Sequence, residues 1–164
     1  MNTTALELEN IYDLAYKALS AHGCDHFNAD SVATTVSHAE RDGSVSHGLF
    51  RIPGYVASLK SKKANGVSRP SNTYLTQNAI RVEGDYGFAP VGIKVGLPEL
   101  INTTNKHGVG VLTITNTHHF AALWHETEAL AENNLIGIAC TAYKPSVAPA
   151  GAKKPLFGTN PISF

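Results

Sequence analysis

VGVLTITNTHHFAALWHETEALAENNLIGIACT, Val109–Thr141, changes character twice. Val109–Thr115 is rich in β-formers, Phe120–Asn133 has helical composition, and Leu135–Thr141 returns to β-formers. The plain reading is strand, helix, strand, and it places the chain among α/β folds. Upstream, Ile80 and Val82 alternate with polar neighbours like a half-buried strand. Pro90–Lys106 carries apolar residues at Ile93, Leu97, Leu100 and Ile101, but Gly92, Gly96 and Pro98 weaken it as a helix.

The first third reads differently. Thr4-x-x-Glu7 has the form of a capping box, and Leu8, Ile11, Tyr12, Ala15 and Leu19 follow helical spacing up to Gly23. A second helix is predicted from near Asn28, with Ala29, Val32, Ala33 and Val36 on one face, ending at Arg41-Asp42-Gly43. A third carries Leu49, Ile52, Val56 and Leu59 and starts at Ser46-His47, with Pro53 tolerable in its first turn. Ser61–Ser71 is rich in Lys, Asn, Gly, Ser and Pro and reads as a linker. The expected organisation is a helical region over residues 1–66 and a mixed-sheet region over 67–164.

Composition excludes several classes. Of 164 residues, 43% are hydrophobic and 16% charged, which argues against disorder. Thirteen basic residues balance thirteen acidic ones, so nucleic acid is not an expected partner. Apolar runs are too short to cross a bilayer, and MNTTALELENIY lacks the early basic residues of a signal peptide. Cys24 and Cys140 lie far apart and suit buried thiols, so a cytoplasmic protein is expected. No metal motif is present: neither H-E-x-x-H nor C-x-x-C appears. G-x-S-x-G is missing, as is a G-x-G-x-x-G after a strand, so neither a hydrolase elbow nor a Rossmann fingerprint is available.

Chemistry concentrates in RDGSVSHGLFRIPGY, Arg41–Tyr55. An imidazole beside a hydroxyl, His47 after Ser46, can exchange a proton near neutral pH, and Arg51 one turn on can hold a carboxylate. The flanking Ser46 and Gly48 leave room for a ligand. The same residues also read as a helix cap with an exposed histidine and a surface ion pair. His22, His26, His38, His107 and His125 are read as structural or solvated. At His118–Ala122 a strand turns into a helix, where small side chains let a phosphate approach free N–H groups; a tight turn capped by histidines explains the spacing as well. Gly158-Thr159-Asn160-Pro161 is a turn.

Taken in order, RDGSVSHGLFRIPGY, NTHHFAALW (Asn116–Trp124) and KPLFGTNPISF (Lys154–Phe164) resemble the malate/L-lactate dehydrogenase family of NAD(P)-dependent oxidoreductases. Within it, the likeness is to the branch that reduces the cyclic imines Δ1-piperideine-2-carboxylate and Δ1-pyrroline-2-carboxylate to L-pipecolate and L-proline. The resemblance implies a non-Rossmann, largely antiparallel sheet with helices, NADPH as cofactor with NADH as the variant, and a dimer. It implies His47 as proton donor, Ser46 as the relay that orients it, and Arg51 and Thr159 as substrate contacts. His119, Phe120, Ala121, Ala122 and Leu123 then meet the cofactor.

The near alternative is a 2-hydroxyacid dehydrogenase of the same family, acting on malate, lactate or ureidoglycolate. Two positions depart from the imine-reductase pattern: Val45, and the Val147–Gly151 stretch, both lacking a histidine. The family's relay also has an Asp from beyond the GTNP strand. The chain is therefore read as the N-terminal half of a reductase; the alternative of another class is an incomplete, inactive half-domain that assembles only with a second copy or a complementing C-terminal half.

Overall fold

The computed structural model describes residues 4–164. The chain divides into two compact units, one ending at Ala122 and one spanning Leu123–Phe164. It is a mixed α/β chain, and two of the three strand pairings among the described residues are antiparallel.

In the first unit, helix α1 (Leu8–Ser20) buries Ile11, Ala15 and Leu19, one residue per turn along a single stripe. Its N-cap is Glu7 with no side-chain hydrogen bond, so the capping box expected at Thr4 does not form. Helix α2 (His26–Arg41) starts earlier than expected. Asp25 is its N-cap and accepts the Asn28 N–H at 3.0 Å, a signal hidden by the apolar pattern that begins later. Ala29, Val32, Ala33 and Val36 are buried as a single face.

Helix α3 (Ile52–Lys60) follows a 3₁₀ turn, Leu49–Arg51. Ser46-His47 therefore does not open the α-helix, as the pattern had suggested. Pro53 has no N–H to give and sits in the helix's first turn, while Gly48 takes a non-helical φ of −86° and ψ of −140°.

Ser61–Ser71 is no linker. Ser68 is fully buried, donating to Asn28 Oδ1 at 2.6 Å, and Asn65 Nδ2 donates to the Asp85 carboxylate at 3.1 Å. Polar composition hid a packed connection, because its polar groups find partners on other parts of the fold.

The sheet orders β1 (Ser71–Tyr74), β2 (Ala79–Glu83) and β3 (Val111–Thr115), with β2 central. Strand β1 runs antiparallel to β2, with Ser71 opposite Glu83. Strand β3 runs parallel to it, with Ala79 opposite Val111. Ile80 and Val82 are fully buried, as their alternation predicts.

Helix α4 (Ala89–His107) makes the crossover that parallel strands need. Its glycines, which weakened it on sequence, are packing devices. A Cβ on Gly96 would lie 2.6 Å from Val82 Cγ2 and 2.9 Å from Leu112 Cδ1, so only glycine lets the helix lie this close to the sheet. Gly108, at φ 79°, closes it.

In the second unit, helix α5 (Trp124–Glu132) is followed by β4 (Ala139–Cys140), paired antiparallel with β5 (Ile162–Ser163). The β-rich Leu135–Thr141 yields only this short strand, and Ile136 and Ile138 stand 86% and 70% exposed. The expected helix start at Phe120 also moves, to Trp124, because Ala121 is left-handed at φ 48°. Cys24 is buried, but Cys140 is exposed, against the expectation of two buried thiols.

Candidate active site

Helix α2 ends at Arg41, and Gly43, left-handed at φ 72°, turns the chain back across its last turn. The Glu40 carboxylate then reaches forward and accepts the Leu49 N–H at 2.7 Å. A Cβ on Gly48 would run into that carboxylate, so the glycine is what lets the loop close over Glu40. His47 is held inside this loop by its own N–H, which donates to Ser44 O at 2.8 Å.

Its ring Nδ1 faces two hydroxyls, Ser46 Oγ at 3.0 Å and Ser44 Oγ at 3.5 Å. Burial and then the Arg51 guanidinium hold its pKa below the ordinary histidine value. The result is a ring that gives up a proton readily and whose orientation is set by its neighbours.

Arg51, which closes the 3₁₀ turn, and Tyr55, on α3, follow His47 at four-residue intervals along the chain. Arg51 Nε is buried and lacks a hydrogen-bond partner among the described residues. A guanidinium N–H left in that state is a donor awaiting an acceptor, and a carboxylate is the natural one. Tyr55 is 4% exposed and packs its ring 5.0 Å from Phe88.

Phe88 in turn lies 5.8 Å from the His118 ring, and the Ala89 N–H donates to His118 O at 3.2 Å. Through that packing the turn after β3 is brought to the head of α3. The Tyr55 hydroxyl lies 3.1 Å from His119 Nδ1. Burial first, then repulsion from Arg51, His118 and His47, pushes the His119 pKa down to about 4.

Of the residues singled out from sequence, Ser46, His47, Arg51, His119, Phe120, Ala121 and Ala122 all lie in the first unit, and His119 joins the His47–Arg51 group. Leu123 and Thr159 belong to the second unit. The turn expected at Gly158–Pro161 is not formed: Thr159 lies in an irregular segment before β5, held by Asn160, left-handed at φ 42°, whose Oδ1 accepts the Tyr143 N–H at 3.0 Å.

Sequence reading missed Ser44, Glu40, Phe88 and Tyr55. Tyr55 was reachable from its four-residue spacing after Arg51; Phe88 and Glu40 act through contacts that no local pattern records. Among the described residues no cluster of histidine, cysteine or carboxylate groups could hold a metal ion.

A histidine beside hydroxyls, a buried guanidinium and a small-residue turn thus come together in one α/β unit. The chain belongs to the malate/L-lactate dehydrogenase family, whose profile matches residues 6–164. It is 36% identical over 97% of its length to a Delta(1)-pyrroline-2-carboxylate/Delta(1)-piperideine-2-carboxylate reductase of Pseudomonas aeruginosa, of which it covers 48%. It is 41% identical over 87% of its length to the protein of that name from Pseudomonas putida, covering 42% of it.

Among solved structures, the delta1-piperideine-2-carboxylate reductase of Pseudomonas syringae superposes with a TM-score of 0.90 at 38% identity, over 98% of this chain and 48% of that one. A sulfolactate dehydrogenase of Methanocaldococcus jannaschii gives 0.89 at 30% identity, over 97% and 46%. The chain thus spans about half the length of the relatives it matches.

Proposed function

We propose that this chain carries the proton-donating and carboxylate-binding part of an NADPH-dependent reductase of Δ1-piperideine-2-carboxylate and Δ1-pyrroline-2-carboxylate. The observation that carries the reading is the His47–Ser46 pair set one turn from the unpartnered Arg51 Nε. The names of the relatives support the substrate class. NADPH, when bound, supplies the hydride. Arg51 holds the substrate carboxylate, and His47 gives its proton to the ring nitrogen that becomes the secondary amine. Ser46, 3.0 Å from Nδ1, orients the imidazole so that Nε2 faces the substrate. A positioned acid of this kind contributes about 10²–10⁴-fold in rate. Thr159 is assigned a second substrate contact.

The residues after β3 fit a dinucleotide. Side chains at Ala121 and Ala122 are single methyl groups, and the backbone at His119 and Ala121 is left-handed, at φ 50° and 48°. Leu123, the N-cap of α5, makes no side-chain hydrogen bond to that helix's first turn. His119 through Leu123 are therefore assigned to the cofactor, with NADPH preferred to NADH on the family resemblance of the sequence motifs alone.

Dimer formation, or pairing with a complementing half, belongs to the same reading. Exposed Ile136, Ile138, Ile162 and Phe164 support it. A cytoplasmic location goes with it, and none of the described helices is long and apolar enough to cross a membrane.

A 2-hydroxyacid dehydrogenase is the second reading, favoured by the near-equal likeness to the sulfolactate dehydrogenase fold. The test is NADPH oxidation by the purified protein with the two cyclic imines, pyruvate and oxaloacetate in parallel. Preference for the imines, lost in His47→Ala, is the expected result. Preference for the oxo acids establishes the second reading instead.

A further inference from the structure

At His119 one ring nitrogen is approached by two groups at once, and one of them is a backbone amide, which can only donate. Ala121 N–H donates to Nδ1 at 3.1 Å, and the Tyr55 hydroxyl lies 3.1 Å from the same atom. A backbone amide cannot accept, so Nδ1 must carry the lone pair. The tyrosine hydroxyl then has one role left at that atom, which is to donate. With Nδ1 occupied as an acceptor, a neutral ring keeps its proton on Nε2. The tyrosine is itself immobilised: its ring is wedged 5.0 Å from Phe88 and 5.4 Å, edge-on, from His119.

We propose that Tyr55 is a positioning residue that, together with the Ala121 N–H, holds His119 as a neutral imidazole with its proton on Nε2, presenting one oriented N–H donor to an acceptor group of the nicotinamide cofactor. This rests on the cofactor assignment made above and adds to it a residue with no role so far. The charged and titratable groups around the ring act in the same direction. Arg51 and His47 from the segment leading into α3, and His118 beside it, all disfavour a second proton on His119. The Tyr55 hydroxyl is held neutral, its pKa pushed up to about 12 chiefly by burial.

Two histidines in one site thereby divide the work. His47, beside hydroxyls, exchanges a proton, while His119, neutral down to acidic pH, only donates a hydrogen bond. A donor of fixed orientation discriminates among acceptors without adding positive charge next to Arg51.

Nitrogen NMR of histidine-labelled protein reads the tautomer directly, without turnover. In the wild type at neutral pH the His119 ring is expected as the Nε2–H tautomer. Tyr55→Phe keeps the ring packing and removes only the hydroxyl. It is expected to admit a measurable share of the Nδ1–H tautomer, to raise the His119 pKa, and to weaken NADPH binding about tenfold, or about 1.4 kcal/mol, with thermal unfolding little changed. A wild-type ring protonated on Nδ1, or on both nitrogens, overturns the proposal. So does a Tyr55→Phe ring indistinguishable from the wild type. NADPH that fails to bind the wild type refutes the cofactor assignment, while the tautomer measured in the same sample still decides the role of Tyr55.

Discussion

At the residue scale the decisive quantity is the environment of each ionisable group. His47 and Arg51 are coupled: burial and the nearby guanidinium both depress the imidazole pKa. Arg51→Gln removes the second cause and leaves the first. The His47 pKa therefore rises toward its ordinary value of 6.5, which a proton NMR titration of the ring would show. An unchanged or lower pKa would mean that the guanidinium does not face the ring.

Glu126 is the opposite case. Both carboxylate oxygens are buried and lack hydrogen-bond partners among the described residues, and burial pushes the pKa up to about 8. Its folded-state pKa lies above the ordinary 4.5, so the unfolded chain releases the proton first as pH rises. Stability from this group is present below 4.5 and lost as pH rises through about 8. Glu126→Gln is expected to raise Tm by several degrees under alkaline conditions and hardly at all under acidic ones. Equal shifts at both extremes would contradict the assignment.

At the scale of elements, the central packing event is α4 lying on the sheet through Gly92 and Gly96. A methyl at position 96 meets Val82, fully buried, and Leu112, half-buried, well inside contact distance, and both are branched side chains. Gly96→Ala is therefore expected to cost about 1–3 kcal/mol, the usual range for overpacking, despite alanine's better helix propensity. Chemical denaturation would measure it, and a stabilised variant would show that the helix can shift without loss.

This element also marks where sequence reading stopped. The buried stripes of α1 and α2 and the strand through Ile80 and Val82 were legible, because periodicity reports burial directly. The length of α4 was not, since glycine's propensity cost is local while its packing benefit depends on residues across the sheet. The packed Ser61–Ser71 connection escaped for the same reason. Its polar residues look solvated until Ser68 is seen to pair with Asn28 and Asn65 with Asp85.

The site was legible in part. Ser46, His47 and Arg51 stood out by residue type and spacing, whereas the meeting of α3 with the turn after β3 depends on Phe88 and on the sheet register.

At the scale of the whole molecule, the shifted groups that titrate nearest neutrality, His119 in the first unit and Glu126 in the second, act at opposite ends of the pH range. In the first, His119 has a folded pKa of about 4 against an ordinary value of 6.5, so the unfolded chain gains the proton first on acidification. That contribution is complete above 6.5 and lost as pH falls through about 4. Asp25 and Asp30 act in the same direction at lower pH still. Asp30 is held below its ordinary value chiefly by Lys94, 2.6 Å away, and Asp25 by hydrogen bonds from Asn28 and Arg69 that outweigh its burial. Glu126, in the second unit, fails on the alkaline side. Hydrogen exchange across a pH series is thus expected to show protection lost first in the first unit on acidification, and first in α5 on the alkaline side. Parallel loss in both units at both extremes would refute this division.

The central claim is that substrate carboxylate and nicotinamide cofactor meet at the head of α3. Its most direct measurement is NMR of the His47 and His119 rings while NADPH and pyrrole-2-carboxylate, a planar stand-in for the cyclic imine, are titrated in together. The account predicts saturable shifts of both rings, with the His47 response abolished by Arg51→Ala. Saturable binding that leaves both rings unmoved, or no binding of either compound, would contradict it.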